Sequence, residues 1–219
     1  AQTWAAELSV TDLQNYRVQS FTTDGGLSVD SLLHITPLQD GRVVIVGTRG
    51  EPVIFDGVRF TKPSITSHRR FDAESGARMS LQTPDGALWI ASQKAGLWRL
   101  KGGDLEQLAD FETMTLALSR DKKRVLVGAR AEVLEFDAEQ PGKPRLLAKL
   151  QAVALAMLEA ADGAIWIATA DGLFVLPRKG STANADRMLV LPKNGTTAQR
   201  FEDQRLAHAH IWALHQDSR

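Results

Sequence analysis

Short apolar runs alternate with turn residues along almost the whole chain, and the alternation repeats. Met79 to Thr83, Ala87 to Ala91, Leu97 to Leu100 and Leu105 to Ala109 are such runs, separated by Pro84-Asp85-Gly86, Ser92 to Gly96 and Gly102-Gly103. Asp-Gly between two apolar runs signals a hairpin, because a type I′ turn needs positive φ at both central positions. Ala87 to Ala91 carries almost no polar residue on either face, which predicts a strand covered on both sides. Comparable sets of runs begin at Leu32, Met114 and Val153; the last comprises Val153 to Leu158, Ile165 to Ile167, Leu173 to Leu176 and Met188 to Leu191. Gln151 to Ala161 is rich enough in Ala and Leu for a helix, but its place in the repeat predicts a strand.

The second run of each set carries a recurring phrase. Asp85-Gly86-Ala87-Leu88-Trp89-Ile90-Ala91-Ser92 and Asp162-Gly163-Ala164-Ile165-Trp166-Ile167-Ala168-Thr169 are the clearest copies; Asp40 to Thr48 lacks the Trp, and Asp121 to Ala129 lacks both the Trp and the turn glycine. Four antiparallel strands per roughly 40 residues is the size of one propeller blade, a unit that buries its apolar faces only against its neighbours. The predicted fold is therefore all-β: a partial propeller of about four blades over residues 31–60, 77–109, 113–150 and 152–192. Single strands flank them, Tyr16 to Phe21 before and Ile211 to Asp217 after, the latter opening a further blade over 208–219. The N-terminal strand is expected to pair as the outer strand of the last blade, protecting the sheet edges.

Composition narrows the function classes. The 26 basic and 26 acidic residues cancel, so the chain lacks the basic footprint of a phosphate-backbone binder, and no nucleic-acid partner is expected. No apolar run approaches the roughly 18 residues that cross a bilayer as a helix. Cysteine is absent, which removes disulfides, thiolate zinc sites and a cysteine nucleophile together. There is no G-x-S-x-G elbow, phosphate-binding glycine loop or nucleotide motif.

The two clearest copies, followed by Gly96-Leu97-Trp98-Arg99-Leu100 and by Asp171-Gly172-Leu173-Phe174-Val175-Leu176, resemble the two-component regulator propeller repeat. Phe21 to Ser31 is similar to the stretch that opens such domains, and Asp56-Gly57-Val58-Arg59-Phe60 to a closing motif of the unit. Ala91 and Ala168 replace the usual glycine of the repeat. The resemblance implies a sensor region in the periplasm, outside the inner membrane, belonging to a receptor with a histidine kinase or diguanylate cyclase output. It implies small-molecule ligands, carbohydrates among them, and no enzymatic activity or cofactor for this segment.

Candidate chemistry is sparse. Arg49, Lys94, Arg130 and Asp171 follow the second strand of successive blades and should share one rim, where binding residues concentrate on a rigid scaffold. His68-Arg69-Arg70 lies in the long connection between the first two blades and suits an anionic ligand. Trp89 and Trp166 share one slot, where packing between blades outweighs a sugar-stacking role. His208 and His210 would share a strand face, with His34, His68 and His215 as further ligands, but no carboxylate cluster accompanies them and no metal site is expected. Asp24, Asp40, Asp85, Asp162 and Asp171 each precede Gly in a turn, where Asp suits the backbone geometry, so no catalytic carboxylate pair is expected.

The expectation is a non-enzymatic sensor propeller that binds a small molecule at the rim or central channel. A protein-interaction scaffold and a propeller lyase or hydrolase are the alternatives. Terminal blades should expose apolar faces, so self-association or completion by further blades is expected.

Overall fold

The structure, a computed structural model, describes residues 19–27, 31–71, 73–177, 188–189, 199–201 and 211–215. It is an all-β propeller of four small antiparallel sheets. The first sheet contains β1 (Leu32–Pro37), β2 (Val43–Gly47), β3 (Val53–Phe55) and β4 (Phe60–Thr61). The second contains β5 (Met79–Gln82), β6 (Leu88–Ser92), β7 (Gly96–Lys101) and β8 (Asp104–Ala109). The third contains β9 (Thr113–Leu118), β10 (Arg124–Ala129), β11 (Glu132–Asp137) and β12 (Arg145–Lys149). The fourth contains β13 (Ala154–Glu159), β14 (Ile165–Thr169), β15 (Gly172–Leu176), β16 (Met188–Leu189) and β17 (Gln199–Phe201). Its order is β13-β14-β15-β17-β16, so the strand beside β15 is Gln199–Phe201 and the Met188 run lies outside it as a fifth strand. Gln151 to Ala161 contributes strand β13, not a helix.

The first strands of the sheets sit nearest one another. β1 touches β5, β5 touches β9, and β9 touches β13. Side chains tie them together: Thr36 Oγ1 donates to Ser80 O at 2.9 Å, and Leu116 N and Thr115 Oγ1 donate to Met79 Sδ at 3.2 and 3.4 Å. At the next interface Gly128 backs onto the fourth sheet, where an added Cβ would stand 2.9 Å from Ala154 Cβ.

Strand alternation divides each second strand between two interfaces. Leu88 and Ile90 pack with Val44, Val46 and Phe71 between the first and second sheets, whereas Trp89 and Ala91 pack with Leu134 and Phe136 between the second and third. Leu126 joins Ile165, Ile167 and Phe174 between the third and fourth. Val44, Trp89 and Leu126, all fully buried, are equivalent positions in the first three sheets. Burying such a side chain contributes about 1.5–3 kcal/mol.

The equivalence of Leu126 with Trp89 reflects a longer turn. In the second sheet Thr83 N bonds Ala87 O, and in the third Ser119 N bonds Arg124 O, one residue further on. Lys122, at φ 59°, takes the left-handed position that Gly86 holds at φ 80°. The third copy is therefore Val125-Leu126-Val127-Gly128-Ala129, and its glycine stands where Ala91 and Ala168 stand in the clearer copies.

The flanking segments depart from the expected single strands. Residues 19–22 and 211–215 join no sheet, and 16–18 lie outside the described residues. Phe21 instead packs edge-on against Phe55 and Phe60, at 4.9 and 5.2 Å between ring centres, while Leu27 covers Ile45 and Val53.

Candidate functional site: the axial end of the propeller

In a four-stranded antiparallel meander, the turn after the second strand and the connection to the next sheet lie at the same end. Arg49, Lys94, Arg130 and Asp171 all occupy turns after the second strand, and His68, Arg69 and Arg70 lie in the connection from β4 to β5, so this end carries every rim candidate. Arg49, Lys94, Arg130, His68, Arg69 and Arg70 are exposed, and Asp171 is half-buried.

The rim candidates do not converge on one pocket. Arg70 borders a cavity of about 230 Å³ between the first two sheets, walled by Ile65, Phe71, Ile90 and Leu105 and lined also by Glu51 and Lys62, which pair at 2.7 Å. Its guanidinium is turned onto its own loop and donates to Ser67 O and to Arg69 O. Arg130 borders a separate depression with Asp110, Phe111 and Glu132, and holds the left-handed backbone at φ 46°. The Asp171 turn is fixed locally, its N–H donating to Thr169 Oγ1 at 3.0 Å.

Residues of all four first strands converge instead on the axis. Leu33 and His34, Arg78 and Met79, Met114 to Leu116, and Leu155 to Met157 line a cavity of about 340 Å³ together with Trp212, Ala213 and Leu214. These residues stand at or near the beginnings of their strands, which places the cavity toward the rim end. Ile211 N donates to Thr169 O at 3.2 Å, just as Ala77 N donates to Gly47 O at 2.9 Å where β5 begins. The 211–215 segment therefore holds a fifth position about the axis.

Electrostatically the cavity is simple. Among the described residues Arg78 is the one formally charged residue in its lining. Burial lowers the pKa of His34, whose Nδ1 lies 3.2 Å from Thr36 Oγ1, and so favours its neutral imidazole. Among the described residues no carboxylate lines the cavity, and no three His, Asp or Glu side chains come together to hold a metal. His208 and His210 lie outside the described residues.

Sequence reasoning missed the cavity residues although they share one offset, seven and six positions before the Asp of each turn (Leu33-His34, Arg78-Met79, Met114-Thr115 and Leu155-Ala156), because no residue type is common to the four copies and so no motif marks the place. A half-polar start to an inner strand, as in Leu33-His34 or Arg78-Met79, was the available signal.

Carboxylates gather at the opposite end in structural roles. Asp85 accepts hydrogen bonds from Thr83 Oγ1 at 2.6 Å and Ala87 N at 3.3 Å, and pairs with Arg99 at 3.0 Å and Lys101 at 2.7 Å. Burial pushes its pKa upward, but the bonds from Lys101, Thr83 and Ala87 outweigh this and hold it at about 2. Arg124 reaches Glu135 at 3.0 Å and, across to the fourth sheet, Glu159 at 3.6 Å. Trp89 is fully buried 5.8 Å from Phe136, in the packing role, and its indole N–H finds no acceptor among the described residues.

No protein-family model matches the chain, and no curated protein is similar to it in sequence. Solved structures share its fold. The extracellular domain of a proposed one-component system from B. thetaiotaomicron superposes with a TM-score of 0.65 at 13% identity, over 87% of this chain and 25% of that one. The extracellular domain of a proposed hybrid two-component system from the same organism gives 0.60 at 15% identity, over 78% and 23%. A gluconolactonase from Xanthomonas campestris gives 0.55 at 15% identity, over 68% and 60%. The chain thus spans about a quarter of the two extracellular domains and three-fifths of the lactonase. At these identities the likeness carries the fold.

Proposed function

We propose that this chain is an extracytoplasmic ligand-sensing propeller of a bacterial signal-transduction receptor, recognising a small molecule and relaying its presence to an output module. The observation that carries this reading is the axial cavity: four sheets and the 211–215 segment each contribute to one space of about 340 Å³, within the range of small-molecule sites. Occupancy there would couple all four sheets, and a ligand acts on output by favouring one arrangement of the receptor over another. Arg49, Lys94, Arg130, Asp171 and the His68-Arg69-Arg70 loop lie at the same end of the propeller outside the lining of that cavity, as candidate contacts for a ligand that enters there, and carbohydrate is among the ligand classes. The fold shared with two extracellular sensor-system domains supports the assignment to a receptor outside the membrane. Among the described residues no helix is long and apolar enough to cross a membrane.

An enzymatic reading draws on the gluconolactonase likeness, but among the described residues that line the cavity His34 is a lone candidate base, with no carboxylate and no metal-binding cluster beside it. A thermal-shift screen of sugars, sugar acids and small carboxylates, with each mixture then analysed by mass spectrometry, separates the two. A sensor gives at least one compound that raises the melting temperature and is recovered unchanged. A compound consumed by the protein, or a screen with no hit, overturns the sensor reading.

A scaffold reading rests on one specific observation. Leu32, Leu33 and Ile35 on β1 are 44%, 40% and 56% exposed, an apolar strip available to a protein surface.

A further inference from the structure

Among the described residues three arginines are half-buried, and the one at the axis differs from the other two. Arg99 is 11% exposed and paired with Asp85, and Arg124, one-third exposed, is surrounded by Asp121, Glu135 and Glu159. Arg78 is half-buried in the axial lining, yet among the described residues its guanidinium makes no hydrogen bond or ion pair; only its backbone N–H is engaged, with Ala91 O at 2.8 Å. A half-buried guanidinium with no protein partner is left to water, and an anion of matching geometry can replace that water with a charge-assisted pair. The space around Arg78 is otherwise walled by Leu33, Met114, Leu116, Leu155 and Met157, with Trp212 also in the lining. Low-polarity walls strengthen a charge–charge contact, thioethers adapt to a ligand's shape, and an indole offers a flat face.

We infer that the axial cavity binds a small monocarboxylate carried on a ring, the carboxylate held by the Arg78 guanidinium and the ring packed among the methionines and leucines beside Trp212. The inference rests on the sensor reading and deepens it by naming the ligand chemistry and the residue that anchors it. An arginine fork matches a carboxylate with two parallel N–H donors, and a lone positive charge in an otherwise neutral lining suits one negative charge rather than two. The ring can come from two chemical sources, a sugar acid or an aromatic acid, which share the carboxylate and the flat apolar face.

Calorimetric titration of the 219-residue chain with D-glucuronate and benzoate, each against its neutral counterpart D-glucose or benzamide, tests this directly. At least one acid is expected to bind at least tenfold more tightly than its counterpart; glucuronate identifies the sugar source and benzoate the aromatic one. Arg78→Gln removes the preference, and Arg78→Lys, which keeps the charge without the fork, retains part of it. Arg59→Gln, at the opposite end of the first sheet, leaves it unchanged. Melting temperatures within a few degrees of the parent show that the variants fold. The inference is overturned if neither acid is preferred, or if Arg78→Gln binds the acid as the parent does. A neutral sugar that binds independently of Arg78 would overturn the carboxylate site while leaving the sensor reading intact, whereas the absence of any binder across the wider screen removes both.

Discussion

Arg130 holds a left-handed backbone, at φ 46°, that glycine adopts without strain. Non-glycine residues in this region cost about 1 kcal/mol or more, and such strain collects at functional sites. Arg130→Gly is therefore expected to raise stability by about 0.5–1 kcal/mol, read as a higher denaturation midpoint, while weakening any ligand that the rim contacts. A loss of stability would mean that the Arg130 side chain contributes packing the structure does not display. At the opposite end, Asp85 is held at about pH 2 rather than near 3.8. A folded pKa below the unfolded one contributes stability above the unfolded value and loses it as pH falls. Denaturant titrations between pH 5 and 2 should show a contribution on the order of 1–2 kcal/mol fading below about pH 4, absent in Asp85→Asn.

The second strand of each sheet is the element on which the fold turns, since its two faces fill two interfaces. Trp89→Ala is expected to cost about 3–5 kcal/mol, because a fully buried indole leaves a cavity between the second and third sheets. Trp89→Phe should cost only about 1 kcal/mol, since it keeps most of the volume and gives up an N–H that has no acceptor among the described residues. Equal costs for the two variants would contradict the packing role. These strands were legible in the sequence because Asp-Gly and double-sided apolarity are local signals, and each survives in at least three copies. The outer strand of the fourth sheet was not: Gln199–Phe201 carries two polar residues in three, whereas the wholly apolar Met188 to Leu191 is the stronger local strand signal and draws the assignment to the run that lies beyond it. The frame of the third copy was hidden for another reason. Lys122 does by strain what glycine does freely, so the turn gained a residue without announcing it.

At the scale of the molecule, sheets stacked side by side leave their apolar faces to their neighbours. Leu27 and Phe21 cover part of the first sheet, yet Leu32, Leu33 and Ile35 stay exposed on β1, and Trp212 is 65% exposed beside the axis. The chain is therefore expected to self-associate in light scattering at micromolar concentration, and Leu32→Lys with Ile35→Lys to shift it toward the monomer. A monodisperse monomer for the parent would show that these side chains are accommodated without a partner. The site itself was half legible. Spacing placed the rim candidates at the same end as the axial cavity, because every turn after a second strand must fall there. It could not find the cavity, which forms only when four strand beginnings and a distant segment meet at the axis.

The central claim is that a ligand enters at this axial end and is held by the first strands. Hydrogen–deuterium exchange, with and without the compound that gives the largest thermal shift, tests it most directly. The account predicts new protection concentrated in peptides covering 32–37, 78–82, 113–118, 154–159 and 211–215, with the turns at Asp40, Asp85, Asp121 and Asp162 unchanged. Protection confined to those turns or to the outer strands would contradict it.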